Sequence, residues 1–186
     1  MITPQSKRGA ALAVLAVVTA STGLAAPARA EGPAAPAPSL EYAFTARVEL
    51  LPPIEQGNAA GGRKRFIAIT GGTITGPKLT GTVLPGGGDW QVIEAGGLTR
   101  VEARYFMKAA DGTVIEITNP GVRVAAPEVI ERLARGENVD PSAYYFRTTP
   151  VFTVAPGPHE WLRRSAFVAR GIRKPDHVLI DFYEVK

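Results

Sequence analysis

Residues 100–119, RVEARYFMKAADGTVIEITN, set an Asp-Gly pair, Asp111 and Gly112, between two runs in which apolar and polar side chains alternate. Asp-Gly supplies the backbone freedom that a tight hairpin turn demands, and a period of two marks a strand with one buried face. The stretch therefore reads as a β-hairpin. Its register depends on the length of the loop. If Asp111 and Gly112 alone form it, Arg104 faces Asn119 and Phe106 faces Ile117, so Glu102 and Arg104 share the inner face with Ile115 and Ile117. A three-residue loop, Ala110 to Gly112, slips the pairing by one; Val101, Ala103, Tyr105 and Met107 then join Ile115 and Ile117, with both charges outside.

The same alternation recurs on both sides. LEYAFTARVEL (40–50) puts Leu40, Tyr42, Phe44, Ala46, Val48 and Leu50 on one face. RKRFIAIT (63–70), GTITGPKLTGTVLP (72–85), DWQVIEA (89–95), YYFRTTPVFTV (144–154), RSAFVARGI (164–172) and DHVLIDFYEV (176–185) follow, punctuated by glycine and proline. About nine or ten short strands with frequent turns imply an all-β, antiparallel β-barrel of the lipocalin-like or calycin-like kind. One helix interrupts them. PEVIERLARGE (127–137) has Pro127 suited to a first helical position, Val129, Ile130 and Leu133 at helical spacing, and Gly136 placed to end it.

The N-terminus reads as an address. Lys7 and Arg8, an apolar run from Ala10 to about Ala20, and Ala28-Arg29-Ala30 have the layout of a secretory signal peptide over residues 1–30. The run falls short of the roughly 20 strongly apolar residues that span a bilayer, so the mature chain is expected to be periplasmic or secreted, without stable membrane insertion. A Pro/Ala-rich tether over 31–39 then leads to one domain over 40–186. Cleavage removes three basic residues and no acid, leaving 18 basic against 17 acidic side chains. That balance gives no basis for nucleic-acid binding. GGRKRF (61–66) is a short basic cluster that reads as a solvated loop or strand start. No cysteine is present, and His159 and His177 are the only imidazoles. No metal site or bound cofactor is expected, and nothing fixes the oligomeric state.

VLPGGGDWQ (83–91) looks at first like a phosphate-binding loop, but such a loop lies between a strand and a helix, whereas strand-like segments flank this one. It reads instead as a turn at a barrel rim, with Asp89 and Trp90 near the mouth.

Several of these blocks together resemble the bacterial family known as domain of unknown function 3237. They are ITGGTITGPKLTGTVLPGGGDWQ (69–91), EARY (102–105), Asp111-Gly112, GVR (121–123), PEVIERLARGE, YYFRTTPVF (144–152) and WLRRSAFV (161–168). The resemblance runs from about Leu40 to Val185. It implies a compact β-barrel and no established activity. Members often carry an asparagine where this chain has Arg163.

Arg104 and Arg147 each interrupt a strand rich in aromatic and aliphatic residues. A guanidinium inside a barrel needs a carboxylate or a bound anion, so the pair suggests a lumen that recognises a carboxylate, enolate or phenolate. An exposed strand face with a salt bridge accounts for the same pattern. On the first view Asp89 is a catalytic acid or base, Arg104 and Arg147 stabilise an oxyanion, and Trp90, Glu102, Tyr105 and Trp161 bind the ligand. The partner is then a small molecule. The expected activity is that of a cofactor-independent isomerase, lyase or hydrolase, and the alternative is a lipocalin-like carrier. His159, in the proline-bounded loop APGPHEWLRR (155–164), reads as an exposed loop residue or an acid-base group at the mouth.

Overall fold

The computed structural model describes residues 35–186, so the expected signal peptide lies outside the described residues. Eleven strands form one sheet: β1 Leu40–Leu50, β2 Ile54–Ala59, β3 Gly62–Thr75, β4 Gly81–Val83, β5 Gly87–Ile93, β6 Leu98–Ala109, β7 Val114–Val124, β8 Tyr145–Thr148, β9 Val151–Val154, β10 Phe167–Arg173 and β11 His177–Val185. Two helices accompany them, α1 Pro127–Ala134 and α2 Trp161–Arg164. Pairing runs β6-β5-β3-β1-β11-β10-β8-β7 and returns to β6, which closes an eight-stranded antiparallel barrel.

The other three strands are accessory. β4 and β5 pair with successive parts of β6, and β8 and β9 with successive parts of β7. Each couple is a stave broken by proline, at Pro85 and Pro150, which has no N–H to give a ladder. The structure exceeds the nine or ten strands expected because YYFRTTPVFTV is two strands, β8 and β9, and because β2, which the alternation did not flag, pairs with β3. α1 falls where its proline start and apolar spacing put it, whereas α2 lies in a stretch the alternation did not flag as helical.

Register decides what faces inward. Tyr105 pairs with Ile117, Met107 with Ile115 and Ala103 with Asn119, the pattern of the three-residue loop. Tyr105, Met107 and Ala109 are buried; Glu102 and Arg104 are exposed. On β1 a register shift between Tyr42 and Phe44 breaks the uniform alternation. Ala43 and Phe44 are both fully buried, while Leu40 and Tyr42, expected inside, are 57% and 40% exposed.

The interior divides into two halves. Phe44, Met107, Ile115, Ile117, Phe152, Phe167 and Phe182 make an apolar core that Leu162 of α2 caps. Phe44 stacks on Phe182 with ring centroids 4.5 Å apart, and burying each such ring contributes about 1.5 to 3 kcal/mol. At its margin Glu184 pairs with Lys186 and accepts hydrogen bonds from Lys78 and Ser165, which together hold its carboxyl down at about 2. The other half is polar. Arg65, Gln91, Thr99, Asn119, Arg123, Thr148 and Arg173 are all buried there, beneath a cluster of Leu133, Val139, Tyr144 and Phe146 from α1 and the chain that follows it.

Candidate functional site

The polar half is laid out by cross-strand register. Asp89, Ala103 and Asn119 are neighbours in one row across β5, β6 and β7. The next row holds Arg65, Gln91, Val101, Gly121 and Thr148, and Ile93, Thr99, Arg123 and Phe146 lie beyond it. Ala103 is small, so space is left between the side chains of Asp89 and Asn119. A cavity fills it. Asp89, Asn119 and Thr148 supply its polar wall; Val48, Leu50, Ile69, Phe146 and Val178 belong to the apolar remainder, around a cavity of about 40 Å³.

Asp89 is held from two directions. Its Oδ2 accepts from the Gln91 amide, and Arg65 Nε donates to Gln91 Oε1 at 2.9 Å. Its Oδ1 accepts from the Glu102 backbone N–H at 3.1 Å. Burial nonetheless raises the Asp89 carboxyl above the usual aspartate range, opposed by the Gln91 hydrogen bond, the charges of Arg123 and Arg65, and the Glu102 N–H. Burial also pushes the Arg123 guanidinium down to about 10, and lowers Arg65 and Arg173. The Tyr105 hydroxyl moves up through burial and then through the Asp89 charge. The side-chain oxygens of Thr99, Tyr105 and Thr148, Asn119 Oδ1, and Arg123 Nε and Nη2 are buried without a hydrogen-bond partner among the described residues. Native interiors hold few such groups; all of these but Tyr105, which packs in the apolar core, belong to the polar half.

Of the residues singled out in the sequence, the barrel brings Asp89 and Tyr105 inward and sends the rest elsewhere. Asp89 is a wall residue of the cavity instead of a rim residue. Trp90 points outward, 54% exposed, against Phe66 at 5.0 Å between rings. The side chain of Glu102 is outside, and its contribution is the backbone N–H on Asp89. Arg104 lies 3.7 Å from Glu116 on the outer surface, and Arg147 lies over the Tyr145 ring at 5.0 Å, also outside. Neither guanidinium enters the lumen, because each has the opposite strand parity from the buried residues beside it. Trp161 packs on Phe167 at the apolar end, away from the cavity. His159 sits 3.2 Å from Asp111, a residue of the β6–β7 turn, and lines a separate surface cleft. Arg104→Met and Arg147→Met should therefore each change stability by about 0.5 kcal/mol or less and leave cavity binding unaltered, as read by urea denaturation and ligand titration.

The glycine run of VLPGGGDWQ does two jobs. Gly86 has φ of +101°, the turn. Gly87 and Gly88 are already in β5, where an added Cβ would come within 2.4 Å of Tyr105 Cβ and 2.0 Å of the Phe66 ring respectively. Close packing requires them. The buried set of Arg65, Gln91, Asn119, Arg123 and Arg173 went unread in the sequence, although a signal existed. Gln91 is two residues from Asp89, and Asn119 and Arg123 continue the parity of Ile115 and Ile117. Arg65, within the basic cluster expected to be solvated, shares the parity of Ile67 and Ile69.

The family model for DUF3237, a protein of unknown function, matches residues 38–185. The chain belongs to this family. A UPF0311 protein of Bradyrhizobium diazoefficiens is 39% identical to this DUF3237 protein over 145 residues, 78% of this chain and 95% of that one. The crystal structure of a protein of unknown function from Rhodopseudomonas palustris superposes with a TM-score of 0.77 at 34% identity, over 82% of this chain and 100% of the other. A hydroalkoxylation enzyme of Penicillium herquei is 33% identical over 81 residues, 44% of the DUF3237 chain and 54% of the fungal one.

Proposed function

We propose that this DUF3237 protein is an exported enzyme that binds a small, largely apolar molecule in the barrel cavity and uses Asp89 to move a proton on it. One observation carries the reading: the acid of the cavity wall is a half-buried carboxyl, raised by desolvation, among mostly aliphatic neighbours. A carboxyl so raised holds or releases a proton nearer neutrality, which is what general acid–base catalysis requires. Asn119 and Thr148 would orient the polar part of the substrate. Isomerase, lyase and hydrolase chemistry all fit such a site. The relative named as a hydroalkoxylation enzyme favours the lyase class, since adding a hydroxyl across a carbon–carbon double bond moves one proton from oxygen to carbon. The aliphatic wall by itself would also suit a carrier that holds its ligand unchanged.

Mass spectrometry separates the two. Small molecules that co-purify with the protein are returned to it in deuterated water. Catalysis is expected to place deuterium at a carbon-bound position, or to interconvert two compounds, at a rate proportional to enzyme. A compound that binds saturably, gains no deuterium and is recovered unaltered would make the protein a carrier.

A further inference from the structure

The polar end of the barrel holds more cation than its acids balance. Arg65, Arg123 and Arg173 are 4%, 1% and 7% exposed, and the carboxyl that shares their chamber is Asp89. Arg65 is engaged by Gln91 and lies 3.9 Å from Glu55, while Arg173 gives Nη1 to the carbonyls of Lys174 and His177. Arg123 differs. Its Nε and Nη2 have no partner among the described residues. These two groups lie along one edge of the planar guanidinium, the edge that meets both oxygens of a carboxylate side by side. Thr99, directly opposite Arg123 in the ladder, adds a buried hydroxyl that is also unpartnered. The guanidinium carbon lies 5.7 Å from the ring centre of Phe146, a residue of the cavity wall, so Arg123 and Thr99 stand behind that wall and not in it. An idle, buried, charged fork is costly unless something negative reaches it.

We propose that Arg123, with Thr99, is the anion-binding subsite of the cavity, and that the ligand is a small apolar acid: one carboxylate, or an equivalent phenolate or enolate oxygen, on a compact alkyl or aryl body. The inference rests on the cavity's being the ligand site. Val48, Leu50 and Ile69 would receive the body, and docking of the anion on Arg123 would leave the middle of the molecule beside Asp89. Arg123 thereby takes the role that the sequence suggested for Arg104 and Arg147.

The test is titration of the full chain with benzoate, and with benzamide as its neutral counterpart, followed through the arginine Nε–Hε resonances. The Arg123 resonance is expected to move saturably with benzoate, with benzamide at least tenfold weaker. Arg123→Met should lose benzoate affinity by at least tenfold, and Arg123→Lys, which keeps the charge without the fork, should fall between. Asp89→Asn should bind benzoate as well as the parent or better, because a competing negative charge is gone. Equal affinity for benzoate and benzamide, or no saturable response at Arg123 with millimolar benzoate, would overturn the subsite. If the Arg123 variants do not fold, the wild-type spectra alone decide. Benzoate held at Arg123 in a protein that never exchanges deuterium leaves the subsite standing and removes the enzyme reading. Exchange without a benzoate response at Arg123 does the reverse.

Discussion

Asp89→Asn is expected to lower turnover by about 100-fold or more, the usual cost of removing a positioned acid or base, while the stability of the variant relative to the parent rises with pH. Asparagine keeps one oxygen, for either the Gln91 amide or the Glu102 N–H, which two different oxygens of the native side chain accept, so one of these donors loses its acceptor at every pH and only the pH dependence of the difference reports the titration. The stability effect follows from the direction of the pKa shift. Desolvation raises the folded carboxyl above the ordinary aspartate value, so the native state binds its proton more tightly than the unfolded chain does. The stability this contributes is present in full below the unfolded value and is lost as pH rises through the raised folded value. Asparagine does not titrate, so the variant should gain on the parent across that window and hold a constant difference above it. Urea denaturation at several pH values, alongside the deuterium assay, measures both effects. A variant with undiminished turnover would remove Asp89 from the chemistry. One whose stability relative to the parent fell with rising pH would show that the carboxyl is lowered instead, as a structural partner of Arg65 and Arg123.

The largest loss of stability is expected at Phe44. Its ring is fully buried, stacks on Phe182 and meets Phe152 with ring centroids 6.2 Å apart, in a core where β1 and β11 close the barrel. Phe44→Ala removes that transfer free energy and leaves a cavity between rigid staves, together about 3 to 5 kcal/mol. For a domain of this size the melting temperature should fall by roughly 10 °C. Tyr42→Ala, two residues away, should cost about 1 kcal/mol or less, since Tyr42 is outside and bonded to Thr45 at the surface. The contrast tests the bulge directly. Uninterrupted alternation along β1 would put both rings on the same face, and comparable losses from the two substitutions would restore it.

Much of the architecture is local and was therefore legible. Period-two runs and an Asp-Gly turn require antiparallel pairing, because each pattern reflects its own stretch of backbone. Pro127 and the spacing of Val129, Ile130 and Leu133 mark α1 for the same reason. The site was legible in part. Asp89 stood out as an acid in a strand, and Tyr105 was on the inner face in one of the two registers. The arginines were misassigned because a guanidinium among aromatics on a single strand looks the same whether its parity points in or out. Arg104 and Arg147 took the conspicuous positions, and Arg65 and Arg123, in plainer surroundings, are the ones inside.

The sequence by itself determined that this chain makes an antiparallel β-barrel with α1, since strand alternation, turn chemistry and helix spacing are each written within a few neighbouring residues. The tertiary structure alone decided which polar groups share the interior. A one-residue slip at the β6–β7 loop, a bulge on β1 and closure of β6 onto β7 set the parity of every strand against the others. Only that joint register brings Arg65, Asp89, Asn119, Arg123 and Arg173, from β3, β5, β7 and β10, into one chamber. Inside and outside are properties of the closed sheet as a whole, and no single strand carries enough apolar contrast to specify them where both of its faces are mixed.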